Sequence, residues 1–166
     1  MNNRRVLSLL VDNTAGVLSR IAGLFSRRGY NIDSLTVGET ADQRYSRMTV
    51  VVNGDDQILD QITKQLAKLV DVVDIKPLSE KESVSRELIL VKVRADAENR
   101  QAIIAVADIF RAKIVDVGID SLIIELTGNQ SKLDAFIELL SGYEILELAR
   151  TGITGLSRGA EDVRYL

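Results

Sequence analysis

The chain has 166 residues, 46% of them hydrophobic and 27% charged, with a formal net charge of −3; this is a globular mix, far from disordered or collagen-like composition. No apolar run approaches the ~20 residues needed to cross a bilayer, and the opening residues lack a signal-peptide apolar region, because charge and turn signals return at Asp12-Asn13. With no cysteine and no histidine, the disulfide framework, the thiolate or imidazole metal site, the Ser-His-Asp triad and the Cys-His pair are all excluded, and the negative charge argues against a nucleic-acid partner.

In chain order, Arg5 to Asp12 is an apolar, β-branched run that reads as a strand. Asn13-Thr14-Ala15-Gly16 breaks it. Val17, Leu18, Ile21, Leu24 and Phe25 follow at helical spacing, and the helix stops at Gly29 with Arg27 and Arg28 suiting the dipole of its last turn. Ile32 to Glu39 and Tyr45 to Val52 read as two strands around a polar hairpin loop. Asn53-Gly54-Asp55 enters a second helix with the apolar stripe Ile58, Leu59, Ile62, Leu66 and Leu69, and Val72 to Leu78 closes the unit as a strand.

Pro77, the sole proline, and the polar run Ser79 to Arg86 mark a linker. The order then repeats. Glu87 to Ala95 is a strand, Arg100 to Phe110 a helix, Lys113 to Gly118 and Ser121 to Thr127 a hairpin, Ser131 to Leu140 a helix and Ile145 to Thr151 a strand. Strand–helix–strand–strand–helix–strand, twice, predicts an α+β fold of two ferredoxin-like βαββαβ sandwiches in tandem, antiparallel sheets with helices on one face. The domains are residues 4–78 and 87–151, joined by the linker 79–86 and followed by a tail, 152–166. Gly152 to Gly159 is no phosphate loop, since it lacks a Gly-Lys-Ser/Thr ending, and it reads as a flexible or partner-ordered tail. One face of each sheet has no helices, and apolar runs such as Val50-Val51-Val52 put side chains on both faces. Homodimerisation or docking on a larger partner is the expectation for such a face.

Chemistry can sit at Asp12-Asn13-Thr14-Ala15-Gly16. The loop joins a strand end to a helix start, where unpaired amides and the positive end of the dipole face outward. Gly16 lets a ligand approach them, Asn13 offers a donor and an acceptor, and Asp12 can receive an ammonium. This suits a zwitterionic amino acid. Taken alone, the same residues are explained more simply as a turn and helix cap, because such loops open most helices in α/β folds. Gly29-Tyr30-Asn31 is a second candidate, and it too is a helix cap followed by a turn on local grounds. The carboxylate pairs Asp55-Asp56, Asp71 with Asp74 and Asp116 with Asp120 fit caps and solvated turns.

The stretch Asp12-Asn13-Thr14-Ala15-Gly16-Val17-Leu18-Ser19-Arg20 resembles the first loop and helix of an ACT domain, the amino-acid-sensing ferredoxin-like module. Arg28 to Val37, Ser46 to Val50, Gln65 to Val72, Glu87 to Val93, Lys132 to Phe136 and Gly155 to Gly159 extend the likeness in order from about Arg4 to Gly159. Together they resemble the small regulatory subunits of acetohydroxyacid synthase, also called acetolactate synthase. The resemblance implies a non-catalytic chain in a transferase complex. Its partner would be a large catalytic subunit carrying thiamine diphosphate, Mg²⁺ and FAD, and this chain would itself bind no cofactor or metal. It would raise the partner's activity and confer feedback inhibition by valine in cytoplasmic branched-chain amino acid biosynthesis. The resemblance also implies a homodimer with valine between two ACT domains. One chain would supply Asn13, Thr14, Ala15, Gly16 and the amides near Val17 and Leu18, and the other Asn31 and Ile32.

Two other βαββαβ classes fit less well. An RNA-recognition module stacks bases on aromatics of its central strands, but here those strands carry only Tyr45 at an edge, and aromatics are 4% overall. An acylphosphatase-like hydrolase needs an Arg-bearing phosphate loop after the first strand, and Asn13-Thr14-Ala15-Gly16 has no cation.

Overall fold

A computed structural model describes residues 4–160. Alternation along the first strand, β1 (Arg4–Asp12), aims Leu7, Leu9 and Val11 at one face, and β3 (Tyr45–Asn53) meets them with Met48, Val50 and Val52. The two strands pair antiparallel with Leu7 opposite Val50 and Leu9 opposite Met48. Helix α1 (Val17–Arg28) lays Val17, Ile21, Leu24 and Phe25 on this face, and α2 (Asp56–Ala67) adds Ile62 and Leu66. With β2 (Ile32–Glu39) and β4 (Val72–Leu78), the sheet order is β2-β3-β1-β4, so β2 and β4 are its edges.

The second unit repeats the plan with β5 (Ser83–Arg94), α3 (Arg100–Ile109), β6 (Lys113–Val117), β7 (Ser121–Gly128), α4 (Gln130–Leu139) and β8 (Ile145–Arg150). The order along its sheet is β6-β7-β5-β8. Ile89, Val91 and Val93 of β5 and Leu122, Ile124 and Leu126 of β7 face Ile103, Leu133 and Phe136 of the helices. Phe110 packs edge-on against Phe136 at 5.3 Å. The fold is two antiparallel βαββαβ units, as the periodicity predicts. Among the described residues no helix is long and apolar enough to cross a membrane.

Two expectations are corrected. Residues 79–86 are not a linker throughout, because β5 starts at Ser83. Nor is the segment after Arg150 wholly a tail: Thr154–Ser157 form a ninth strand, β9, which pairs with β5. Residues 161–166 of the expected tail lie outside the described residues. The first compact unit runs to Ser85 and resumes at Thr154, while the second is Arg86–Ile153. The physical reason is a non-local ladder. Ser83-Val84-Ser85-Arg86 is polar and reads as loop until a strand from the far end of the sequence supplies its hydrogen bonds.

The helix-free face of the first sheet also differs from expectation. Register places Thr36, Thr49, Ser8 and Lys76 in one row across the four strands, so its middle is polar, and Arg47 Nη1 donates to Ser8 Oγ at 2.8 Å. That face is not open. Thr49 is 1% exposed and Ser8 3%, and Gly155 N–H of β9 donates to Thr49 Oγ1 at 3.3 Å. The Ser157 hydroxyl lies 3.4 Å from Lys76 Nζ, and Arg158 N–H bonds the Glu82 carbonyl at 2.8 Å. The chain's own strand meets the row at Thr49 and Lys76.

Gly155 is where this cover is tightest. A Cβ there would lie 2.8 Å from Ser85 Oγ, 3.1 Å from Leu78 Cδ1 and 3.2 Å from the Val84 carbonyl oxygen. Gly155→Val should therefore overpack the seam at a cost of about 1–3 kcal/mol. Thermal melting and hydrogen exchange check this. The expected result is a lowered melting temperature with protection lost across residues 154–158, and an unchanged melt with full protection would refute the packing account.

Candidate functional site

The loop after β1 is held from two sides. On one side stands the β2–β3 hairpin, itself locked by Asp42, whose carboxylate accepts from the Arg44 backbone N–H at 3.0 Å and from Arg44 Nη2 at 2.7 Å. These hydrogen bonds, the side-chain ones first, hold the Asp42 carboxyl at about 2, below its usual range. Thr40 Oγ1 closes the same turn on the Asp42 carbonyl. The hairpin thus presents fixed acceptors, and Asn13 takes three of them. Its backbone N–H bonds the Arg44 carbonyl at 2.8 Å, and its Nδ2 bonds Glu39 Oε1 at 3.0 Å and the Gln43 carbonyl at 2.9 Å.

This refines the role given to Asn13. Both hydrogens of its amide nitrogen are engaged by the hairpin, so the exposed side chain has its Oδ1 to offer as an acceptor. Glu39 and Gln43 are neighbours of the candidate site that sequence reasoning missed. Their contact with Asn13 bridges 26 and 30 positions and has no local signature.

On the other side stands Asp71, in the turn between α2 and β4. Its carbonyl accepts the Asp12 N–H at 2.8 Å. Its carboxylate takes Arg20 Nε at 2.6 Å and Nη2 at 3.1 Å, a bidentate pair. Hydrogen bonding to Arg20, ahead of the direct charge attraction, lowers the Asp71 pKa, and Asp71 raises that of Arg20 in return. Arg20 and Asp71 were also missed. The available signal was the i,i+4 spacing from Gly16 to Arg20, which puts both on one helix face.

Between these anchors lie Thr14, Ala15 and Gly16, all exposed. Gly16 is the N-cap of α1, with φ 87° and ψ −6°, and no side chain caps the helix. The contrast with the other helices is chemical. Asp55 accepts from Ile58 N–H at the start of α2, and Asn129 accepts from Lys132 N–H at the start of α4. Before α3, Asp96 accepts from the Glu98 and Asn99 amides. Among the described residues no such carboxylate or amide oxygen caps the start of α1, and its dipole end faces the exposed loop. The Val17 side chain is buried in the core, so any part it plays in the site is through its backbone, whereas Leu18 is 48% exposed beside the loop.

Asn31 and Ile32 stand elsewhere. Asn31 is exposed and donates to Asp33 Oδ1 at 3.0 Å, and Ile32 begins β2 opposite Val52 with its side chain against the core. The structure brings together Asn13, Thr14, Ala15, Gly16, Val17 and Leu18 but leaves Asn31 and Ile32 at the other end of α1. That helix has 12 residues, which at 1.5 Å per residue is about 18 Å.

Comparison with known proteins matches both units. Residues 7–74 fit the family described as the AHAS small subunit-like ACT domain, and residues 86–159 fit the family described as the small subunit of acetolactate synthase. The chain is 51% identical over 156 residues to the probable acetolactate synthase small subunit of Methanothermobacter thermautotrophicus, covering 93% of each. It is 52% identical over 157 residues to the acetolactate synthase small subunit of Mycolicibacterium smegmatis, covering 95% of this chain and 92% of that one. The crystal structure of the small subunit from Thermotoga maritima superposes with a TM-score of 0.88 at 45% identity, covering 95% of this chain and 98% of that one. The sequence words, the twin βαββαβ units and these relatives agree: the chain belongs to the acetolactate synthase small-subunit family.

Proposed function

We propose that this chain is the regulatory subunit of a cytoplasmic acetolactate synthase, non-catalytic by itself. It raises the activity of a large catalytic subunit that carries thiamine diphosphate, Mg²⁺ and FAD, and it makes that activity sensitive to valine. The observation that carries the reading is the start of α1, a helix end capped by no side chain, opened by Gly16 and flanked by Asn13. An amino acid fits there with its carboxylate on the amides and its ammonium near Asn13 Oδ1 and the Glu39 carboxylate.

The distance along α1 argues for a site shared by two copies. About 18 Å of helix separates Gly16 from Asn31, too far for one small amino acid to touch both in a single chain. Strand β2 is an edge of its sheet, and Asn13 is bonded to Glu39 at its C-terminal end. Antiparallel pairing of β2 with the same strand of a second copy sets the second copy's Asn31 and Ile32 beside that end. Both halves of the expected site then converge, which supports a homodimer.

Sedimentation measures the second part. The chain should be a dimer that valine tightens, since a ligand bound only across the interface stabilises the associated form. A monomer indifferent to valine would contradict the shared site.

The enzyme rebuilt from both subunits measures the first part. Alone, this chain should form no acetolactate from pyruvate. Added to the cognate catalytic subunit, it should raise activity and bring valine inhibition, which Gly16→Asp should abolish while activation persists. An aspartate carboxylate ~4 Å from that of valine repels it by about 4 kcal/mol at an effective dielectric near 20, roughly a thousandfold in affinity. The backbone cost of a non-glycine residue in the left-handed region is only about 1 kcal/mol. Full valine sensitivity in the Gly16→Asp enzyme would remove the effector from this helix start.

A further inference from the structure

The Arg20–Asp71 pair has no part in the reading above, yet it touches the loop at two places. Asp71 is itself fixed, because its turn is closed by Val72 N–H on the Leu69 carbonyl at 3.1 Å and Leu69 N–H on the Leu66 carbonyl at 3.0 Å. From there its carbonyl holds Asp12, the residue before the loop, and its carboxylate holds Arg20, in the first turn after it. Arg20 reaches Asp71 by passing over Gly16. A Cβ built on Gly16 would stand 2.9 Å from Arg20 Nη1 and 3.7 Å from its Cζ. Space for a side chain at position 16 and the path of the guanidinium are the same space.

We propose that Arg20 and Asp71 are the positioning pair of the effector loop, and that position 16 is glycine in part because Arg20 lies across it to reach Asp71. The inference rests on the effector reading above and adds two residues to it. Asp71 brackets the loop at its entry and its exit, so the amides of the first helical turn are held in the orientation that a carboxylate meets. The pair contributes little to the stability of the fold, because solvent screens an ion pair at the surface. Its effect is on loop geometry, where preorganisation governs affinity. A substitution at position 16 therefore acts partly through Arg20, by pushing the guanidinium off Asp71.

Coupling of this kind is measured by a double-mutant cycle. The full-length chain is titrated calorimetrically with valine as wild type, Gly16→Ala, Arg20→Ala, their double variant and Asp71→Asn, and each is also melted. Gly16→Ala, Arg20→Ala and Asp71→Asn should each weaken valine binding about tenfold, since each unhooks the same bracket. Melting temperatures should move little in Arg20→Ala and Asp71→Asn, and fall by about a few degrees where position 16 is alanine, because its backbone is left-handed. The double variant should bind about as weakly as either single, not about a hundredfold more weakly than wild type as independent sites would give. Additive losses would overturn the coupling. So would an unchanged valine affinity in Arg20→Ala and Asp71→Asn, or lowered melting temperatures in both with affinity intact, which is what a merely stabilising pair would show. If Gly16→Ala leaves valine binding untouched, position 16 does not act through Arg20 and the coupling falls, whereas a wild-type chain that binds no valine removes the effector reading itself.

Discussion

The register between β1 and β3 is the constraint on which the first unit hangs. Side chains alternate along a strand, so a slip of one residue would exchange Leu7, Leu9 and Val11 for Val6, Ser8 and Leu10 beneath the helices. Two buried faces forbid the slip, since Ser8 in the helix core would lose the hydrogen bond from Arg47 that it has on the other side. The same register ends β1 at Asp12 opposite Tyr45. The loop then has to emerge between the hairpin that ends at Arg44 and the turn that holds Asp71. Asn13 bonds the first and Asp12 the second. The geometry of the loop follows from packing some distance away from it.

The two units show how one topology hosts different chemistry. At the place equivalent to the first loop, the second unit has Asp96 and Asn99, which satisfy each other's backbone amides reciprocally. Arg100 Nη2 then donates to the Gly118 and Ile119 carbonyls at 2.7 and 2.6 Å, tying the helix start to the β6–β7 turn. The amides of Asp96, Glu98, Asn99 and Arg100 are thus engaged before and at this helix start, and a guanidinium crosses to the turn beside it. The first unit keeps the equivalent place clear with Gly16 and sends its own arginine sideways to Asp71. The helix ends make a second contrast. Tyr30 N–H reaches back to Phe25 O around Gly29 at φ 71°, and Ala112 N–H reaches back to Ala107 O around Arg111 at φ 57°. These are the same cap, in one unit made by glycine and in the other by an arginine that bears a left-handed backbone at about 1 kcal/mol.

Elements with a local cause were legible. The apolar stripes of α1 and α2, the stop at Gly29 and the cap at Asp55 come from residues within a few positions of each other, and the structure has each of them. The loop Asn13 to Gly16 was legible as a helix start for the same reason. What was not legible depends on distant partners. Strand β9 and the first residues of β5 look like polar loop, because each supplies the other's hydrogen bonds across about seventy positions. The commitments of Asn13 to the hairpin and of Arg20 to Asp71, 51 positions away, are of the same kind. Pattern reading found the loop and missed what holds it.

The return of β9 also bears on how a second copy can meet this unit. A helix-free sheet face is ordinarily the broadest surface a βαββαβ unit offers for association. Here its middle is a row of hydroxyls and an ammonium, of which Thr49 and Lys76 are bonded by the chain's own strand, with a Cβ at Gly155 falling 2.8 Å from Ser85 Oγ. Face-to-face association would have to displace that strand and leave Thr49 Oγ1 without its donor, a cost of about 1–3 kcal/mol for a buried polar group. The edge is different. Strand β2 is an edge, the part of a sheet that can add a further strand, and its C-terminal end carries Glu39, already bonded to Asn13 of the loop. By meeting the middle of that face, β9 makes the β2 edge the more favourable surface for the association proposed above, at the end of the strand where Glu39 is bonded to Asn13.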